Sequence, residues 1–248
     1  GVATAGASTA VALVPSRKTR LKEERSFKMK VKTLVLAGVS SVVLAGAANA
    51  AEITAVQMTA GDFAFGDFGA TGLQTYQLWL TGLDAGDVLL SIFGDPTSPM
   101  TLMTDAADGF FNETELGQGS LQGNPALFAS FPGLQWDTYL AGFGADTSTS
   151  PGFPDTALAG GGSSIVGNDN IAWFDGDPTT ASGETDGMIL IGQVSTVDGA
   201  VISGTLSAQI RNAAGEEIRH RDLSFVIPAP GALALLGLAG LAGRRRRA

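Results

Sequence analysis

The sequence predicts an all-β protein: a single antiparallel β-sandwich or jelly-roll-like domain, flanked by an N-terminal signal helix and a C-terminal transmembrane helix. Three observations predict the domain. Apolar residues in the middle of the chain recur with a period of two, the repeat of a strand with one buried face. Glycine is abundant, 34 of 248 residues, while aromatic residues make up only 7%, a balance that favours turns and short strands over long helices. Turn signals, among them Asp198-Gly199 and Asn212-Ala213-Ala214-Gly215, punctuate the apolar runs near the end.

The elements follow in order. Glu52–Met58 alternates and opens the domain. Leu73–Leu80 (LQTYQLWL) places Tyr76, Leu78 and Leu80 on one face. Val88–Phe93 is a short continuous apolar run after the turn Asp84-Ala85-Gly86-Asp87. Gln135–Leu140 and Ile171–Phe174 are shorter strand candidates, and Asn112–Gln118 reads as a helical turn. Met188–Val194 and Ala200–Ile210 flank Val197-Asp198-Gly199. Asp-Gly between apolar runs is a hairpin signal, because glycine takes the positive φ that the turn requires. Glu217–Phe225 returns after Gly215, so the last three strands are expected to form a meander. Residues 94–133 and 141–170 show no strong period and read as long loops.

The two ends of the chain read as processing segments, not as fold. Met29-Lys30-Val31-Lys32 is a short basic start, and Thr33–Gly46 is an apolar run. Ala48 and Ala50 are the small residues that a signal peptidase needs, so cleavage is expected between Ala50 and Ala51. Residues 1–28 precede this signal and read as an over-extended gene start, 29–50 as the signal peptide, 51–227 as the domain and 228–248 as a C-terminal tail. In the tail, Pro228-Ala229-Pro230 breaks the last strand. Phe225–Gly243 is an uncharged stretch of 19 residues, close to the roughly 20 that a membrane-spanning helix needs. Arg244, Arg245, Arg246 and Arg247 then hold that end on the cytoplasmic side.

Charge separates the domain from its flanks. The chain carries 15 basic and 24 acidic residues. Only three of the basic residues, Arg211, Arg219 and Arg221, lie in 51–227, against 22 acids, for a net charge of −19. Nucleic acid is thereby excluded as a partner, since binding it needs a basic footprint. There is no cysteine, which removes disulfides, thiolate zinc sites and cysteine nucleophiles.

Few residues suggest chemistry. His220 is the only histidine, and strand alternation turns it away from Arg219 and Arg221; it reads as a surface residue and not as the base of a catalytic triad. Ala159-Gly160-Gly161-Gly162-Ser163-Ser164 lacks the Lys-Ser/Thr ending of a phosphate loop. Calcium takes six to eight oxygen ligands, and Asp169, Asp175 and Asp177, in Asn168-Asp169-Asn170 and Asp175-Gly176-Asp177, are its candidate ligands. Asp105, Asp108 and Glu113 form a looser group. Asp and Asn also favour turns without any metal. No other cofactor is expected. Trp79, Trp136 and Trp173 are candidate stacking platforms for sugars if exposed, with Trp79 the one that alternation could turn outward. Core packing is the competing role for at least two of the three.

The tail carries a resemblance. Pro228-Ala229-Pro230, the Gly/Ala/Leu run and the terminal arginines are similar in layout to the PEP-CTERM sorting signal of exosortase substrates, in which the usual triplet is Pro-Glu-Pro. The resemblance covers residues 228–248. It implies export, transient membrane anchoring through the C-terminal helix, processing by an exosortase-type enzyme after signal peptidase, and association with the cell surface or an extracellular polysaccharide matrix. The expected protein is non-enzymatic, exported, membrane-anchored and then surface-located or extracellular, with a structural or adhesive role. A carbohydrate-binding module or carbohydrate-active enzyme on the same scaffold is the alternative.

Overall fold

The computed structural model describes residues 51–66, 72–113, 124–143, 147–151, 153, 164–166, 170–176 and 182–229. These residues form antiparallel β-sheets and short 3-10 turns, with no α-helix among them. No helix among the described residues is long and apolar enough to cross a membrane. The apolar segments Thr33–Gly46 and 231–243 lie outside the described residues.

Twelve strands lie among the described residues. They are β1 (Glu52–Met58), β2 (Leu73–Thr81), β3 (Val88–Gly94), β4 (Thr101–Thr104), β5 (Tyr139–Leu140), β6 (Thr147–Thr149), β7 (Ser164–Val166), β8 (Ile171–Asp175), β9 (Ser182–Gly183), β10 (Met188–Val197), β11 (Ile202–Arg211) and β12 (Glu217–Ile227). The smaller sheet has the order β1-β2-β10-β5. The larger has β6-β8-β3-β11-β4-β7, with β12 added on β11 and β9 on β3.

The registers reduce the larger sheet to fewer lines than its strand count suggests. Phe93 of β3 faces Ser207, and Thr101 of β4 faces Thr205. A single residue of β11 therefore spans the gap between them, and β3 and β4 are one strand interrupted by an excursion at residues 95–100. Opposite the same gap, Ile171 of β8 pairs with Gly94 and Val166 of β7 pairs with Thr101. The chain can fold back at Gly94 because that residue has no side chain: a Cβ there would lie 2.6 Å from the Cβ of Met100.

The two sheets share one core. Tyr76, Leu78, Leu80, Ile189, Ile191 and Val194 of the smaller sheet cluster with Leu89, Ile92, Leu102, Ile202, Leu206 and Ile210 of the larger. This sandwich-like arrangement buries one face of each sheet and explains the period of two. Trp173 joins the same core, edge-on to Phe153 at 6.2 Å, with its indole N–H donating to the carbonyl of Ala141 at 2.9 Å.

Several expectations hold at residue level. The first strand runs Glu52–Met58 as read, and the Tyr76, Leu78 and Leu80 face is buried. The Asn212–Gly215 turn joins β11 to β12: Gly215 takes φ 85° and its N–H donates to Asn212 O at 2.8 Å.

Others are corrected. The Asp198-Gly199 turn forms, with Gly199 at φ 86°, but β10 and β11 do not pair. β10 lies in the smaller sheet and β11 in the larger, so the turn carries the chain across the core and the expected meander is reduced to β11–β12. The local sequence codes the turn, whereas the strands part because each buries its apolar face from an opposite side of the core. Gln135–Leu140 is not one strand. Pro132, which fixes φ and lacks an N–H, opens a 3-10 turn over Pro132–Trp136, and only Tyr139–Leu140 pairs. The supposed loops hold β4, β6 and β7, each too short for its period to show. Asn112 and Glu113 are not helical; the rest of that expected turn lies outside the described residues.

The registers also fix where the ends leave. Glu52 pairs with Thr81, at the same end as the turn into β3 and the β11–β12 hairpin. Ile227 pairs with Ile202, at the end where β10 turns into β11. The first strand thus begins at one pole of the domain and the last strand finishes at the other.

Gly204 tests the packing. A Cβ there would lie 2.7 Å from Phe225 Cε1 and 2.8 Å from Thr101 O, whereas one at Gly183 would meet nothing within 4 Å. Gly204→Ala is expected to lower stability by about 1–3 kcal/mol through overpacking, and Gly183→Ala to leave it within roughly 0.5 kcal/mol. Equilibrium denaturant unfolding of the two variants checks this.

Candidate functional site

The outward face of the larger sheet carries the most developed surface chemistry. Alternation along β11 sends Ile202, Leu206, Ala208 and Ile210 into the core and Ser207, Gln209 and Arg211 to the other face. Gln209 stands between Ser91 of β3 and Arg219 of β12, and Ser207 is opposite Phe93. The three arginines of the domain are therefore gathered on two adjacent strands.

The excursion 95–100 is pinned onto this face. Ser98 Oγ lies 2.8 Å from Ser207 Oγ and donates to Asp222 Oδ1 at 2.7 Å. A hydroxyl has one proton, so Ser207 donates to Ser98. Asp222 sits at φ 55° in the bulge where the β11–β12 register shifts, which is how its carboxylate reaches Ser98. Asp95 accepts from the Thr97 hydroxyl at 2.7 Å, from the Thr97 N–H at 2.9 Å and from the Ser98 N–H at 3.0 Å, and it pairs with Arg221. These contacts, led by the Thr97 hydroxyl, hold its carboxyl down at about 2. Arg221 also donates to Thr97 Oγ1 at 2.9 Å.

Beside this clip lies a shallow depression of about 370 Å³, lined by Ser91, Asp95, Asn170, Gln209 and Arg219 around the ring of Phe93. The guanidinium carbons of Arg219 and Arg221 lie 5.8 and 5.7 Å from that ring's centroid, within cation–π range. Arg221 is committed to Asp95. Arg219 makes no ion pair among the described residues. Asn170 holds a left-handed φ of 71° while its N–H donates to Gly94 O at 3.1 Å, which sets its amide at the rim.

A second concentration of polar groups is buried over the smaller sheet and braces the fold. Ser195 N–H donates to Thr138 Oγ1 at 3.0 Å, and Thr75 and Ser195 hydroxyls lie 2.7 Å apart. Gln193 Nε2 donates to the carbonyls of Gln135 and Asp137, both at 2.9 Å. Asp137, 2% exposed, accepts from the Glu113 N–H at 2.6 Å. Burial pushes its carboxyl up to about 7; the Glu113 hydrogen bond opposes this, and the Glu113 charge adds to it.

The residues singled out from sequence fall as follows. Asp175 ends β8 opposite Thr147, while Asp169 and Asp177 lie outside the described residues. β8 separates Asn170 from Asp175 by about 17 Å of extended chain, so the two acidic runs flank opposite ends of one strand. No three His, Cys, Asp or Glu side chains among the described residues are placed to hold a metal. Of the looser group, Asp105 accepts from the Val201 N–H at 2.7 Å and Glu113 lies beside Asp137. His220 pairs with Ala208 on the face opposite its arginine neighbours and is half-buried. Burial, more than any neighbouring charge, lowers its basicity, and Asp87 works against that. Trp136 and Trp173 are buried, Trp136 against Phe63 at 4.3 Å, and Trp79 is half-buried. Ala51 is buried in the core just before β1, and Pro228 and Ala229 follow β12 directly. Ala48, Ala50, Pro230 and Arg244–Arg247 lie outside the described residues.

Sequence reasoning considered Arg219 only as a neighbour of His220 and missed Phe93, Gln209 and Asn170 as a group. The available signal was the pair Arg219 and Arg221, two apart on one strand, in a domain with a single further basic residue. No family model matches the chain, and neither does any curated protein or solved structure.

Asp137 has a pH signature. Its folded carboxyl titrates well above the unfolded value, so its contribution to stability is complete below about pH 4 and is lost as pH rises to about 7. Subtracting the stability profile of Asp137→Asn from that of the native protein is expected to leave a decline of up to about 4 kcal/mol across that window. A difference that is flat with pH would contradict the assignment.

Proposed function

We propose that this chain is an exported, non-enzymatic cell-surface or extracellular-matrix protein, sorted by an exosortase-type system, whose β-sandwich domain has a structural or adhesive role and meets extracellular polysaccharide through the outer face of its larger sheet. The observation that carries the reading is the placement of the strands. The first begins at Glu52, one residue past the expected signal-peptidase cut, and the last ends at Ile227, immediately before Pro228. An apolar segment of the kind used for addressing flanks the strand framework on each side.

The strand ends fit a tethered domain. A tail leaving β12 holds one pole toward the membrane, and the pole bearing Glu52, Asp84, Glu184 and the β11–β12 hairpin then points away. With a net charge of −19 over 51–227, self-repulsion keeps such domains apart and hydrated. Calcium held by Asp169, Asp175 or Asp177 belongs to the same proposal as a bridging ion and not as a catalyst.

The alternative, a carbohydrate-binding module or carbohydrate-active enzyme, is favoured by the depression around Phe93. Glycoside hydrolysis uses two carboxylates across the scissile bond. Among the described lining residues the carboxylate is Asp95, already committed to Arg221, Thr97 and Ser98, an arrangement that supports binding rather than hydrolysis.

Mass spectrometry of the protein recovered from its native cells is expected to find an N-terminus at Ala51 and a C-terminus near Pro230. Surface-located protein that retains Arg244–Arg247 would replace the sorting reading with a permanent anchor. An N-terminus inside β1 would overturn the export signal.

A further inference from the structure

We propose that the depression around Phe93 binds a carboxylate-bearing sugar, a uronic-acid unit of an acidic polysaccharide, with Arg219 as the residue that takes the carboxylate. The inference rests on the reading that this face meets polysaccharide, and it names the class.

Charge comes first. Of the three cations in residues 51–227, Arg221 is neutralised by Asp95, and Arg211 stands at the end of β11 opposite Glu217. Arg219 alone combines a place in the depression with freedom from an ion pair among the described residues. Ordering a long side chain normally costs rotamer entropy. Here the guanidinium already rests near the Phe93 ring, which the Arg221 guanidinium approaches to a similar distance. A guanidinium held over a ring by cation–π attraction still presents its planar N–H fork, the geometry that matches a carboxylate.

The remaining lining selects the rest of the ligand. Ser91, Asn170 and Gln209 offer hydroxyl and amide groups at the same depression. Gln209 Nε2 is held by Glu217 at 2.7 Å, which leaves its carbonyl oxygen as an acceptor for a ligand hydroxyl. Glu217 and Asp95 both stand nearby. Asp95 is compensated and Glu217 is not in an ion pair among the described residues, so a second negative charge placed inside the depression itself would be repelled. The site therefore suits a single carboxylate attached to several hydroxyls, and it disfavours a compact dianion such as phosphate. Its volume, about 370 Å³, lies at the low end of small-ligand sites, roughly 300–1,000 Å³. Because the depression is shallow, a unit inside a longer chain can enter.

Isothermal titration of the full chain in detergent micelles tests this, using trigalacturonate, neutral maltotriose and inorganic phosphate as probes. Trigalacturonate is expected to bind, and Arg219→Ala to weaken it about tenfold or more, the loss of a charge-assisted pair. Arg219→Lys should fall between the two. Arg211→Ala, on the same face outside the depression, should leave binding unchanged. An unchanged unfolding midpoint in Arg219→Ala separates lost recognition from lost fold.

Phosphate binding as tightly as the uronate, or uronate binding that survives Arg219→Ala, would overturn the proposal. Maltotriose binding equally well would overturn the carboxylate assignment while leaving polysaccharide contact standing. No binding of either sugar would remove both. The export reading is untouched by these outcomes, because it is decided by the termini of the native protein.

Discussion

The larger sheet depends on β11 pairing along both of its edges. On one edge it holds β12, and on the other it holds β3 and β4 end to end. Its inward residues close the core, and its outward residues carry the clip and the depression. The interruption at residues 95–100 is possible because β11 runs unbroken across the gap, and Ser207, fully buried, closes it by hydrogen bonding to Ser98. A polar group buried without a partner would cost about 1–3 kcal/mol. Ser98, Ser207 and Asp222 satisfy one another, so the excursion becomes a fixed wall beside Phe93.

How much of this was legible depends on the range of the forces involved. Strands whose apolar residues face one core announce themselves by alternation, as β1 and β2 do, whereas β3 was visible as a continuous apolar run and β12 from the turn that precedes it. The turn at Asp198-Gly199 was legible because positive φ is a local demand. The sheet that β11 joins was not, since it is decided by packing against residues more than a hundred positions away, such as Leu89 and Ile92. Short strands such as β6, β7 and β9 have too few residues to show any period. The site was the least legible part. Arg219, Phe93 and Asn170 are distant in sequence and meet only through three registers, β8 with β3, β3 with β11 and β11 with β12.

The domain joins a strongly acidic body to a single face on which its cations are collected. The same sequence economy marks the ends, where basic residues cluster outside the strands and are nearly absent within them. Strand placement and charge distribution agree on one organisation: an acidic β domain that runs from Glu52 to Ile227, with apolar segments before and after it in the sequence.

The most direct test is equilibrium unfolding of residues 51–229 alone, followed through the fluorescence of the buried Trp173 and Trp136. A cooperative transition with the same midpoint as the full chain is the predicted result. A fragment without a cooperative transition, or one far less stable than the full chain, would show that the flanking apolar segments are part of the folded interior.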